Sequence, residues 1–297
     1  MVTTKNTIPV YDISSLRDHK QMVQEVIAEP FAPYLAVHPN LHAPHGHSFY
    51  HIVIFTKGDG YHSIDFEKFA VVPGQIYFMC PGQVHSWHFT GDVDGYVINF
   101  SEDFFYHFLA NDRYLDQFTF FRGIAADSVR SLFGPTLLAV ISLIENIVSE
   151  TANPVFLTAD MVRLYLAELF ITVERIATDR IPGSVPQQNQ LILYNFRKLT
   201  NNYYDQKRLP KEYAEMLYIT PNHLNAICKD LLNKSAGEVI RERVLLEAKR
   251  LLVNYDLAIS MIADRLSFVD NSHFTKFFKK YTGATPEYFR QGSRSII

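Results

Sequence analysis

Two periodicities divide the chain. Up to about Phe100 the apolar residues come in short runs, rich in β-branched and aromatic side chains and broken by glycine turns. "HSFYHIVIFTKGDGYHSID" reads as a strand, a Gly-Asp-Gly turn and a second strand; "VVPGQIYFMCPGQVHSWHF" sets an apolar run between two Pro-Gly turns, and "GYVINF" is a further strand. Short strands at this spacing predict a small antiparallel β-barrel. Beyond Phe100 the period lengthens toward 3.6. Pro135 to Glu150 and Thr158 to Ala177 predict two amphipathic helices, with Thr158 as N-cap of the second. Leu138, Ile141, Ile144, Ile147 and Val148 recur along the first, and Leu164, Leu166, Leu169, Phe170 and Val173 along the second, so the pair is expected to cover one side of the barrel.

The last hundred residues carry the helical period twice over. In "FVDNSHFTKFFKKYTG", Phe274, Phe277, Phe278 and Tyr281 fall on one stripe, with Ser272, Lys276 and Lys279 opposite and Thr275 beside them. About fifty residues upstream "YITPNHLNAICKDLLN" repeats the arrangement: Leu224, Ile227, Cys228 and Leu231 replace the rings, and Asn222, Ala226 and Lys229 face outward beside Asn225. Each segment follows a shorter amphipathic one in which Ala214 and Leu217 match Ala263 and Leu266. A small residue at a helix crossing, a short turn and a second helix with a polar outer face describe a helix-turn-helix, here present twice. One such helix alone would be an ordinary solvated surface element; the repetition sets it apart. Between the two runs "SAGEVIRERVLLEAKRLLVN", where Ser235 and Glu238 have the spacing of a capping box. Twenty helical residues span roughly 30 Å, close to the ~34 Å between successive major-groove openings on one face of B-DNA.

These motifs carry a resemblance. The "EAKRLL" of the connecting helix, Ile259 to Arg290, and Ala214 to Lys229 are similar to the DNA-binding domain of AraC/XylS-family transcription regulators. Two departures stand out: Ser267 occupies a turn position usually held by Gly, and Ala226 a place where many relatives carry a long polar side chain. Upstream, "HGH", "GDG" and "PGQIYFMCPGQVH", within Pro44 to Phe89, resemble the cupin-like sensor domain that precedes such DNA-binding domains. The resemblance implies an α+β chain, with an N-terminal antiparallel cupin-like β-barrel carrying two packing helices, then an all-α domain of two helix-turn-helix units joined by a long helix. It also implies double-stranded promoter or operator DNA as partner, a small-molecule effector, a homodimer and contact with RNA polymerase. The expected divisions are 1–177 for sensing and dimerisation, 178–188 for a linker and 189–297 for DNA binding.

Charge changes the picture in favour of a polyanion partner. The net charge is −3, but residues 187–297 hold 17 Lys/Arg against 11 Asp/Glu, leaving +6, and the first 186 residues hold 11 against 20, leaving −9. A basic domain gains affinity from counterion release on phosphates, while the acidic half is expected to face away from the duplex. Thr178 to Gln190, with its prolines, glycine and glutamines, reads as an exposed linker. One cysteine in each half, Cys80 and Cys228, reads as two thiols in a reducing compartment. The N-terminus lacks a basic stretch followed by an apolar run, and no uncharged stretch approaches ~20 apolar residues, so the expectation is a cytoplasmic protein with no membrane contact.

The residues expected at DNA are Asn222, His223, Asn225 and Lys229 in the first unit, and Asn271, Ser272, Thr275, Lys276, Lys279 and Lys280 in the second. Asn222 and Asn225 suit adenine, Lys276 a base edge, and Lys229, Lys279 and Lys280 the phosphates. In the barrel His45, His47, Phe49, His51, His85 and Trp87 are expected to line an effector pocket. His45, His47 and His85 also stand where cupin enzymes place metal ligands, but His51 takes the place of the carboxylate. On that ground no metal or other cofactor is expected, and the four histidines stay as candidates only. The chain shows no nucleophile triad, phosphate loop or zincin helix, so no enzyme is expected. The alternatives are a metal-dependent cupin enzyme fused to a DNA-binding tail, and a constitutive DNA-binding protein whose barrel only dimerises.

Overall fold

The computed structural model describes residues 8–16, 25–106, 108, 114–178, 187–253 and 257–293. The chain divides into two compact units, Pro9–Arg180 and Ile181–Ile296. The expected linker falls largely on residues 179–186, which lie outside the described residues.

Among the described residues the N-terminal unit holds ten strands: β1 (Val10–Tyr11), β2 (Val26–Pro30), β3 (His45–His47), β4 (Tyr50–Lys57), β5 (Gly60–Ile64), β6 (Glu67–Ala70), β7 (Gln75–Met79), β8 (Val84–Phe89), β9 (Asp94–Phe100) and β10 (Val129–Ser131). They form two five-stranded sheets, ordered β1-β3-β8-β5-β6 and β10-β7-β4-β9-β2. All pairings are antiparallel except that of β1 with β3. The expected antiparallel β architecture is present, as two layered sheets instead of one closed ladder.

The reason lies in the side chains. On β4, Ile52 and Ile54 join one buried cluster while Val53 and Phe55 join another. A strand buried on both faces reads as a continuous apolar run, and alternation then cannot show which sheet it belongs to. The inner cluster, with Phe49, Val53, Phe55, Tyr77 and Trp87, fills the space between the sheets. The outer one packs the second sheet on α3 (Gly134–Ala152) and α4 (Thr158–Thr178) through Val140, Ile144, Ile147, Leu166, Leu169 and Phe170. The unit also holds two shorter α-helices, α1 (Phe31–Val37) and α2 (Asp103–Tyr106).

Two details differ from the sequence expectation. Leu138 and Leu164 are exposed, at 71% and 52%, so they lie outside the stripe that packs on the sheet. Thr158 does not cap α4: its hydroxyl donates to Glu150 Oε1 and accepts the Val155 N–H, both at 2.8 Å, tying the end of α3 to the start of α4. Helix α3 is long and apolar enough by length and composition to cross a membrane. Its buried stripe lies in the protein core and its Glu145 accepts a hydrogen bond from Tyr96.

The C-terminal unit comprises α5 (Gln187–Tyr203), α6 (Pro210–Met216), α7 (Pro221–Leu232), α8 (Ala236–Val253), α9 (Ile259–Arg265), α10 (Asn271–Thr282) and α11 (Pro286–Ser293). Two small cores sit at either end of α8. Ala236 and Ile240 join Phe196, Tyr213, Ala214, Leu224, Ile227 and Cys228, whereas Ala248 and Leu252 join Ile262, Ala263, Leu266, Phe274 and Phe278. Each core alone is small for independent folding, and sharing α8 makes the two halves depend on each other. Ser235 and Glu238 form the expected capping box: Glu238 Oε2 accepts the Ser235 N–H at 2.7 Å, and Ser235 Oγ accepts the Glu238 N–H at 3.3 Å. At the far end Arg290 donates to the carbonyls of Leu252 and Leu257, at 3.2 and 2.7 Å, docking α11 where α8 runs out of intrahelical partners. The span of α8, eighteen residues, is about 27 Å.

Candidate nucleic-acid interface and buried histidine cluster

The two helix-turn-helix units are built by the same local rules. Helix α6 ends with Tyr218 at φ 55°, and α9 with Ser267 at φ 51°. In the first turn the Ile219 N–H reaches Ala214 O and the Tyr218 N–H reaches Glu215 O; in the second, Phe268 reaches Ala263 and Ser267 reaches Asp264. This is a Schellman ending at equivalent positions in both copies. The next helix then starts on a capped turn: Thr220 Oγ1 accepts the His223 N–H at 3.2 Å, and Asp270 Oδ1 accepts the His273 N–H at 2.8 Å. Asp270 also binds His273 Nδ1 at 3.0 Å. The hydrogen bond from the His273 backbone, followed by that from its ring, holds the Asp270 carboxyl below its ordinary range.

With entry and exit fixed in this way, α7 and α10 expose nearly the same positions. Leu224 and Cys228 are buried on α7, Phe274 and Phe278 on α10. Asn222, His223 and Lys229 are exposed on the first helix, and Asn271, Ser272, Lys276, Lys279 and Lys280 on the second, with Asn225 and Thr275 half-buried at matching sites. Asn225 has a structural task besides: its side-chain oxygen accepts the Ala236 N–H at 3.0 Å, tying α7 to the start of α8. The two units are also joined through Arg208, which donates to the Leu266 carbonyl and stacks over the Phe268 ring at 4.5 Å. Burial pushes the Cys228 thiol up to about 11, which makes it a packing residue without nucleophilic character at neutral pH.

In the N-terminal unit the expected pocket residues His45, His47, Phe49, His51, His85 and Trp87 are all buried together. They do not share one strand. The run expected to be continuous breaks after His47, so that β3 enters the first sheet and β4 the second, and His47 and His51 meet across the gap with ring centroids 5.1 Å apart. Strand pairing sets His45 beside His85 and His51 beside Asn99. The sequence reading missed His62, which is fully buried and whose Nε2 lies 3.1 Å from His85 Nδ1. Its signal was there in the alternation of "YHSI", which puts His62 on the face of Ile64. Asn99 and Tyr34 were missed too: Asn99 Oδ1 lies 2.7 Å from His51 Nδ1, and its amide donates to Tyr34 Oη at 3.1 Å.

Burial disfavours the imidazolium in every member of the cluster. His45 is lowered to about 4 and His51 to about 3, and His47, His62 and His85 lie well below the ordinary histidine value. The five rings are therefore neutral at physiological pH, each with one N–H and one bare nitrogen.

Comparison with known proteins agrees with this layout. The family described as AraC-like ligand binding domain matches residues 33–166, and the helix-turn-helix domain family matches residues 213–292. The HTH-type transcriptional activator RhaR of Cronobacter sakazakii is 22% identical over 255 residues, covering 85% of this chain and 88% of that protein. The probable transcription factor PqrA of Proteus vulgaris is 41% identical over 69 residues, 23% of this chain and 57% of that one. Among solved structures, fatty-acid-bound ToxT of Vibrio cholerae aligns over 92% of this chain and 97% of its own at 12% identity with a TM-score of 0.43. The C-terminal domain of AraT from Geobacillus stearothermophilus aligns over 34% and 84% at 26% identity and 0.33. A ligand-binding region followed by a duplicated helix-turn-helix on one shared helix places this chain in the AraC/XylS family of DNA-binding transcription regulators.

Proposed function

We propose that the protein is a cytoplasmic, sequence-specific regulator that binds a promoter or operator through α7 and α10 and responds to a small molecule held between the sheets of the N-terminal unit. The observation that carries the DNA-binding half is the repeated exposure of α7 and α10, each packed on its own end of α8. Lys276, with Ser272 and Thr275 beside it, reads base edges in the second half-site; Asn222 reads the first, helped by Asn225. Lys229, Lys279 and Lys280, with Asn271 and His223 at the helix starts, hold phosphates. A +6 domain gives this contact a strong salt dependence.

The effector reading rests on a buried group of imidazoles inside an otherwise apolar core, next to the single tryptophan. Such a site offers aromatic walls and a few convergent polar atoms. The homodimer reading rests on the outer side of α4. Met161, Leu164 and Ile171, with Leu157 just before the helix, are all exposed, at 36–54%, and recur at heptad spacing. RNA polymerase is the further partner by which a bound regulator would act on transcription.

Fluorescence anisotropy of the full-length chain on sites selected from random DNA tests the reading. Specific binding that weakens steeply with salt and shifts when a metabolite quenches Trp87 is expected. Binding that shows no preference among sequences would overturn it.

A further inference from the structure

The hydrogen bonds of the histidine cluster fix several tautomers, and those tautomers point to a ligand. His45 Nδ1 lies 2.8 Å from the Ala43 carbonyl, an acceptor only, so Nδ1 carries the proton and Nε2 is a bare lone pair. His51 Nδ1 likewise faces the Asn99 oxygen, whose orientation is set by the amide donating to Tyr34, and its Nε2 is bare as well. Both Nε2 atoms are buried and have no hydrogen-bond partner among the described residues. His47 and His85 oppose each other through their Nε2 atoms at 2.7 Å, while His85 Nδ1 meets His62. Three neutral rings in that chain carry three protons for two hydrogen bonds. One N–H is therefore left over, at His47 Nδ1 or His62 Nδ1, and both atoms lack a partner among the described residues. Leaving a buried donor unmatched is costly, and two bare lone pairs beside it add nothing to stability.

One ring nitrogen of each of His45, His47 and His85 lies within 4.8 Å of those of the other two. We propose that these three histidines bind one divalent transition-metal ion of the zinc, cobalt or nickel type. Neutral imidazoles are the ligand form such ions take, and the set contains no hard carboxylate that would favour magnesium or calcium. Two nitrogens on one tetrahedral ion at 2.0–2.1 Å stand about 3.3 Å apart. The His47–His85 pair therefore has to open by only about 0.6 Å for both Nε2 atoms to face the ion. His45 then keeps its N–H on the Ala43 carbonyl and His85 turns its Nδ1–H to His62, the outer-shell support that metal-bound histidines use. His51, which stands where the sequence pattern has a carboxylate, keeps a bare Nε2 and is oriented by Asn99.

The site lies in the pocket assigned above to the effector, but it does not rest on regulation: DNA-binding assays bear on the function, and metal-binding assays on this site. The test is titration of the full-length, chelator-stripped protein with Co2+, followed by its visible spectrum and by elemental analysis, with Zn2+ as competitor. One equivalent of Co2+ with an imidazole-ligand spectrum is expected. His45→Gln and His85→Gln should each weaken binding by more than about 100-fold and His62→Phe by about 10–100-fold, since outer-shell partners weigh that much. His88→Gln, on the exposed side of β8, should bind as the parent does. Folded parent protein that takes up no stoichiometric Co2+, or binding that His45→Gln and His85→Gln leave intact, would overturn the proposal. The parent titration keeps the test valid should any variant fold poorly.

Discussion

The side-chain oxygen of Asn225, on α7, accepts the backbone N–H of Ala236, in the first turn of α8, at 3.0 Å. That N–H is one of those a helix start leaves without an intrahelical partner, so a residue on α7 helps to cap the start of α8, against which α7 packs.

Asn225→Ala should therefore lower the stability of the C-terminal unit by about 1 kcal/mol, seen as a fall of several degrees in its thermal midpoint. Asn225→Asp, which keeps the accepting oxygen, should lose much less. If Asn225 also contacts adenine, Asn225→Asp alters the selected DNA sequence while stability holds, which separates the two roles.

Ser267→Gly should stabilise the second unit and Ser267→Val should destabilise it. A left-handed residue with a Cβ costs about 1–2 kcal/mol, partly offset by the greater unfolded-state freedom of glycine. Urea denaturation of the two variants reads the sign directly. Tyr218, at the same place in the first unit and 96% exposed, should respond to glycine in the same direction.

Helical periodicity made the C-terminal half legible: the stripes of Leu224/Cys228 and Phe274/Phe278 and the Ser235–Glu238 box all stand where the sequence puts them. The turns were legible too, Ser267 as a position usually held by Gly, whereas nothing in the sequence marked the matching left-handed ending at Tyr218. The N-terminal half was legible as strands but not as sheets. With both faces of β4 buried, period-two alternation disappears, and nothing local says that "HGH" and "YHIVIF" belong to different sheets. The histidine cluster was half visible. His62 was signalled by local alternation, whereas Asn99 reaches the cluster only through strand register, which is set by pairing partners far along the chain.

Asp270 holds its charge through the His273 N–H and ring. Its folded-state value is depressed, so its contribution to stability is present above the ordinary carboxylate range and lost as pH falls through the folded value. Asp270→Ala should therefore destabilise the chain at pH 7, and the penalty should shrink as pH is lowered below the ordinary carboxylate range, measured by thermal unfolding over a pH series.

Leu164→Glu places a charge in the exposed apolar row of α4. Light scattering at micromolar concentration should show a dimeric parent and a monomeric variant, with the far-ultraviolet circular dichroism unchanged. A dimer that survives this change would place the contact elsewhere.

Lys276→Ala and Lys229→Ala should fail differently at DNA. The first should cost about 1–3 kcal/mol on the preferred sequence and relax one or two base positions; the second should weaken all sequences alike and reduce the salt slope by about 1. Anisotropy titrations over a salt series distinguish the two patterns.

Selection of binding sites from random DNA by the full-length protein tests the paired-helix account most directly. Two conserved half-sites about one helical turn, or ~10 bp, apart are expected, with Lys276→Ala eroding only one of them. A single motif too short for two helices, or a selected sequence that changes in both halves or in neither when Lys276 is removed, would contradict it.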